Sequence, residues 1–96
     1  MSSTPDLYQS NPTTVRAMQY HEKEVAALAG WVGPSRLKYR PKVHLTQLWV
    51  AANNKWLPIE EGEWVLQDEL GFYPCKDVVF TKKYHKVPNR DAELRR

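Results

Sequence analysis

The chain has 96 residues and a formal net charge of +3, from 14 Lys and Arg against 11 Asp and Glu. At that length one domain is the natural count, with roughly 60–65% of the unfolded surface buried and a modest core supporting ~5–10 kcal/mol of stability. One cysteine excludes an internal disulfide framework and fits a reducing compartment, no apolar run approaches the ~20 residues of a membrane span, and the small positive balance admits a nucleic-acid partner without requiring one.

Residues 1–12 hold Ser2, Ser3, Thr4, Pro5, Ser10, Asn11 and Pro12 and read as a flexible lead-in, with Leu7 and Tyr8 able to dock on the surface. The polar stretch from Met1 to Thr14 has no apolar centre and does not read as a secretory signal. From Thr13 to Tyr20 polarity alternates, which predicts a strand with Val15, Ala17 and Gln19 on one side and Thr14, Arg16, Met18 and Tyr20 on the other. The period then changes. Val25, Leu28, Ala29 and Val32 fall on one helical face, Glu22 and Glu24 suit the first turn, and Gly33-Pro34 supplies a stop. The N-cap is poor, since neither Tyr20 nor His21 is a preferred capping residue.

Pro34 and Pro41 bracket a basic stretch, Arg36, Lys38, Arg40 and Lys42, expected as an exposed loop. Residues 43–59 predict a hairpin that turns at Asn53-Asn54, because Asn tolerates positive φ. Residues 63–67 and 72–75 predict a second hairpin about Asp68-Glu69-Leu70-Gly71. Lys76 to Thr81 predicts one helical turn, and Lys82 to Val87 a short edge strand whose lysines discourage edge pairing. Residues 89–96 read as a polar tail. The expected fold is α+β: a single domain over 13–88 in the order β-α-β-β-β-β-β, with one main helix on a curved, mostly antiparallel sheet of about five to six strands.

No catalytic or metal-binding constellation stands out. His21, His44 and His85 lie far apart without a second ligand type at zinc-like spacing and read as surface or boundary residues. Cys75, in Tyr-Pro-Cys-Lys, lacks a local motif to activate it and reads as a packed thiol, although Lys76 beside it would favour the thiolate. Glu60, Glu61 and Glu63 read as solvated turn acids rather than an acid–base pair. There is no Gly-rich phosphate loop and no nucleophile elbow, so neither enzyme activity nor a cofactor is expected. Most of the five Tyr, four Trp and two Phe are expected in the core. The exposed rings and the basic loop are the candidate contacts: Trp49, Trp56, Arg36, Lys38, Tyr39 and Arg40.

The C-terminal half carries a specific pattern. Leu57-Pro58-Ile59-Glu60-Glu61-Gly62-Glu63-Trp64-Val65-Leu66 leads to Gly71-Phe72-Tyr73-Pro74-Cys75-Lys76, then to Phe80 and Tyr84. This resembles the signature of a widespread family of small phage and prophage proteins, in which a Gly-Asp-Trp strand precedes a Phe-Tyr-Pro-Cys strand, a Pro-Asp-x-Phe turn and a late Tyr. Val15 to Tyr20 resembles that family's first strand, and the likeness spans about residues 13–87. The chain departs from the pattern at Glu63, in the place of Asp, and at Asp77-Val78, where Pro-Asp is usual; the second change touches the geometry of the short turn. The resemblance implies origin and architecture and supplies no active site. It implies a non-catalytic accessory protein in the host bacterial cytoplasm that binds a host or phage protein; some small phage proteins of this kind are toxic to the host. Nucleic acid, held on a basic face joining residues 36–42 to 82–86, is the alternative partner. A symmetric homodimer through an exposed apolar patch or an open sheet edge is also open.

Overall fold

The structure, a computed structural model, describes residues 4–10 and 13–87. It is α+β, and its antiparallel strands divide into two sheets. Strands β1 (Asp6–Ser10), β2 (Thr13–Gln19), β6 (Trp64–Asp68), β7 (Gly71–Cys75) and β8 (His85–Lys86) form a five-stranded sheet in the order β7-β6-β2-β1-β8. Strands β3 (Leu37–Arg40), β4 (Leu45–Val50) and β5 (Lys55–Ile59) form a three-stranded sheet in that order. Helix α1 (Val25–Val32) follows β2, and helix α2 (Asp77–Lys83) follows β7.

The alternation of β2 explains the layering. Val15 and Ala17 are buried on one side of the large sheet, with Leu66 and Phe80; Met18 is buried on the other, with Val65 and Phe72. The central strands are therefore covered on both faces around Met18, while Thr14 and Arg16 on that second side stay exposed. On one side α2 lies across the sheet through Phe80, which stacks on Trp64 at 3.9 Å and on Tyr84 at 5.0 Å while Tyr8 meets it edge-on at 4.9 Å. Such ring pairs add about 0.5–1.5 kcal/mol each beyond their burial. On the other side, α1 and the inner face of the small sheet close the larger core. Leu28, Val32, Leu48, Val50 and Ile59 are buried there, and Trp31 meets Phe72 edge-on at 5.0 Å.

Helix α1 follows the expected periodicity, with Leu28 and Val32 innermost. It is preceded by a 3-10 turn at Glu22–Glu24, and His21 makes no side-chain cap, as its residue type implies. Gly33, at φ 96°, ends the helix and donates its amide to Ala29 at 2.9 Å. The φ of Gly33 is one that a side chain would strain.

Three segments depart from the expectation. Asp6–Ser10 is a strand rather than a flexible lead-in: it pairs with β2 and β8, and Tyr8 is part of the smaller core. The Ser, Asn and Pro around it act as turn signals that conceal five extended residues. The basic stretch 34–42 contains β3, because Leu37-Lys38-Tyr39-Arg40 alternates with period two; Leu37 packs against the core while Lys38 and Arg40 reach solvent. Pro34 and Pro41 each open a 3-10 turn beside it. The turn after Cys75 extends to Lys83 as α2 and leaves only His85–Lys86 for the edge strand. Asp77 occupies the first turn without a Pro and accepts the indole N–H of Trp64 at 2.8 Å. The remaining expected tail, 89–96, lies outside the described residues.

Tyr20, just past β2, ties the sheets together. Its amide donates to the Glu63 carbonyl at 2.7 Å, its carbonyl accepts from Gly62 at 2.9 Å, and its hydroxyl bonds the hydroxyl of Thr46 in the core. Thr46 is 1% exposed, so neither hydroxyl has water as a substitute partner. Tyr20→Phe is expected to cost about 1–3 kcal/mol by leaving the Thr46 hydroxyl unsatisfied. The double change Tyr20→Phe/Thr46→Val is expected to cost less than the sum of its parts. Urea unfolding of the four proteins measures this, and additive losses would contradict the coupling.

Candidate binding face

Every second residue of β4 is buried: Thr46, Leu48 and Val50 point inward, and Leu45, Gln47 and Trp49 outward. Register then places the neighbours. Trp49 stands opposite Trp56, Gln47 opposite Pro58 on β5 and Lys38 on β3, and Leu45 opposite Arg40. Residues directly opposite share a face. The outer face of the small sheet is thus built from Lys38 and Arg40, from Leu45, Gln47 and Trp49, and from Trp56 and Pro58.

Two matching turns produce this register. Pro41–Val43 forms a 3-10 turn closed by His44 at φ 52°, and Ala51–Asn53 forms another closed by Asn54 at φ 53°. Each closing amide donates back to the first turn residue, at 3.2 Å and 3.1 Å. Asn adopts this left-handed conformation readily, and His does so more often than most side chains.

The two indoles meet edge-to-face at 5.4 Å and both are half-buried. The Lys38 ammonium lies 4.3 Å above the Trp56 ring. A cation over an indole at a solvent-facing site contributes about 0.5–1 kcal/mol. Charge is segregated around this face. From Val25 to Ile59 there are five Lys and Arg, namely Arg36, Lys38, Arg40, Lys42 and Lys55, and no Asp or Glu, so with 14 basic and 11 acidic residues in all the remainder carries nine against eleven. The stretch is +5 and the rest of the chain −2.

Of the six expected contact residues, Trp49, Trp56, Lys38 and Arg40 come together here. Tyr39 does not: it points to the side of Thr46, and its hydroxyl donates to Glu22 at 2.8 Å. Arg36 is exposed, but its guanidinium donates to the Val32 carbonyl at 3.1 Å and so caps the end of α1. The two basic segments 36–42 and 82–86 belong to different sheets: the first contains β3, and the second runs from the end of α2 into β8 at the far edge of the large sheet.

Beside the face sits a polar network that sequence reasoning missed. Glu61 accepts the Glu22 amide at 2.9 Å and bonds His21 at 2.6 Å, while Glu22 bonds Tyr39 at 2.8 Å and His44 at 2.9 Å. It links the start of the helical segment to the β3–β4 turn and to the β5–β6 turn. Hydrogen bonds from His44 and Tyr39 hold the Glu22 carboxyl below its ordinary value, and the Glu22 amide and His21 do the same for Glu61. Glu63 pairs with Lys76 at 3.0 Å and accepts the Glu60 amide at 2.8 Å, so Glu61 and Glu63 are tied down rather than simply solvated, while Glu60 is exposed. The sequence gives no periodic signal for such contacts, which join distant turns.

Among the described residues no three His, Cys, Asp or Glu are grouped to hold a metal ion. Cys75 is half-buried opposite Trp64; burial pushes its thiol above the ordinary value, which disfavours the nucleophilic thiolate. Among the described residues no helix is long and apolar enough to cross a membrane. No protein-family model, curated protein or solved structure matches the chain.

The carboxylate network carries a pH consequence. Both Glu22 and Glu61 are lowered in the folded protein, so their contribution to stability is present above the unfolded value of ~4.3 and is lost as pH falls through the lowered folded values. Urea unfolding as a function of pH is expected to show a shallower acid limb for Glu22→Gln/Glu61→Gln than for the parent. Superimposable acid limbs would contradict it.

Proposed function

We propose that this is a non-catalytic binding protein that takes its partner on the outer face of the small sheet. The observation that supports this most is the placement of Trp49, Trp56, Lys38 and Arg40 together on a side of the small sheet that none of the other described elements covers. The large sheet spends its aromatic rings on its own two cores. The small sheet instead holds an indole pair outside the core, where indoles and guanidinium groups are the side chains that most often dominate binding energy. In keeping with the phage-type pattern at Gly62–Tyr84, the role is that of an accessory protein in the host cytoplasm that engages a host or phage protein. Nucleic acid is the alternative; what favours it is the acid-free stretch from Val25 to Ile59.

Affinity purification from host cells followed by mass spectrometry tests the reading. Trp49→Ala/Trp56→Ala is expected to keep a cooperative unfolding transition, because neither ring belongs to the buried clusters. It is expected to lose about 2 kcal/mol or more of partner affinity for each ring that acts as an anchor. Undiminished recovery of the same partner by a folded double variant would sink the proposal.

A further inference from the structure

The charge pattern narrows the chemistry of the partner. All five cations of the stretch from Val25 to Ile59 lie on or beside the small sheet, with no carboxylate in that stretch to neutralise them. Glu24 and Glu60 flank the stretch directly, and the next acids out, Glu22 and Glu61, are engaged by His44, Tyr39 and His21. A second copy of this chain offering the same face would set Lys38 and Arg40 against their equivalents, which is unfavourable. An acidic surface meets the opposite field.

The rings discriminate between acidic partners. Base stacking takes an open ring face. Lys38 already sits over one face of the Trp56 ring at 4.3 Å, and the two indoles meet edge-to-face at 5.4 Å. The apolar ring surface suits aliphatic side chains, and Lys38 competes for the Trp56 face that a base would take. The positive field is also bounded. Glu60, Glu61 and Glu63 follow β5 directly, and the rest of the chain is net negative. A short acidic segment fits within such a patch, whereas a long polyanion would run on to a surface that repels it.

We infer that the occupant of this face is an acidic segment of a partner protein, with carboxylates against Lys38 and Arg40 and aliphatic side chains against Trp49 and Trp56. This rests on the binding face proposed above and adds the chemistry of what fills it.

The test uses the full chain and three probes, read by titration calorimetry at low salt: a synthetic peptide rich in Asp and Leu, the same peptide with Asn for Asp, and a single-stranded oligonucleotide. The acidic peptide is expected to bind at least about tenfold more tightly than the Asn peptide, and to weaken as salt screens the charges. Lys38→Glu/Arg40→Glu is expected to lose about tenfold or more, and Lys82→Glu/Lys83→Glu, which removes the same charge from α2, little. Far-UV circular dichroism checks that both variants fold; all four side chains are exposed. Equal binding of the Asn peptide, tighter binding of the oligonucleotide, indifference to Lys38→Glu/Arg40→Glu, or no saturable binding of the acidic peptide would each overturn the inference. If those results came while Trp49→Ala/Trp56→Ala still lost its captured partner, the acidic segment would fall and the binding face would stand.

Discussion

The hydroxyl–hydroxyl contact between Tyr20 and Thr46 is where the two sheets meet through a polar bond. Hydrophobic burial draws α1 and the small sheet on to the large one, but it is non-directional. A buried hydroxyl pair is directional, and each partner is costly to leave unmade. The same residue fixes the turn between β5 and β6 through its amide and carbonyl, helped by Gln19, whose side-chain amide donates to Gly62 at 2.9 Å. Gln19 and Tyr20, at the end of β2 and just past it, therefore set both the distance between the sheets and the path by which the chain passes from one to the other. With its inner side held in this way, the small sheet has only its outer side left to present.

That outer side differs in character from the rest of the molecule. In the smaller core, Tyr8, Trp64, Phe80 and Tyr84 lie against one another and gain from burial. On the small sheet, Trp49 and Trp56 lie outside the buried clusters and meet each other, with Lys38 over the Trp56 ring. Two half-buried indoles on a cationic sheet are hard to explain by folding alone, because smaller polar residues would satisfy the same strand positions.

Much of the architecture was legible in the chain. The alternation of Thr13–Gln19 gave β2 and both of its faces, the spacing of Val25, Leu28, Ala29 and Val32 gave α1, and the two hairpins followed from their turn residues. β1 was hidden because a short strand among Ser, Asn and Pro looks locally like a loop; only its pairing with β2 holds it. β3 was hidden because Lys and Arg at every second position mask the period-two pattern when just Leu37 is strongly apolar. The site was legible in its residue types and less so in its geometry. A two-residue turn at Asn53-Asn54 would set Trp49 opposite Pro58. The four-residue turn that forms brings it opposite Trp56. Tyr39 and Arg36 belong to the same basic stretch as Lys38, yet strand parity sends Tyr39 to the other side and the end of α1 claims Arg36. Such assignments depend on partners remote in sequence.

The pairing of β1 with β8 has a consequence in time. Val87 donates its amide to Leu7 at 2.9 Å, and Lys86 pairs with Asp6 at 3.3 Å, so the first and last described strands complete one sheet edge. That edge cannot form until residue 87 has been made and is free to pair, however early β1 and β2 have paired. Until then the seam that seals Tyr8 and Phe80 stays incomplete. The closure also spans almost the whole chain, which is the kind of contact that slows folding. One aromatic flank is therefore completed late, and the small sheet, whose strands are close neighbours in sequence, is positioned to form before the large sheet is complete.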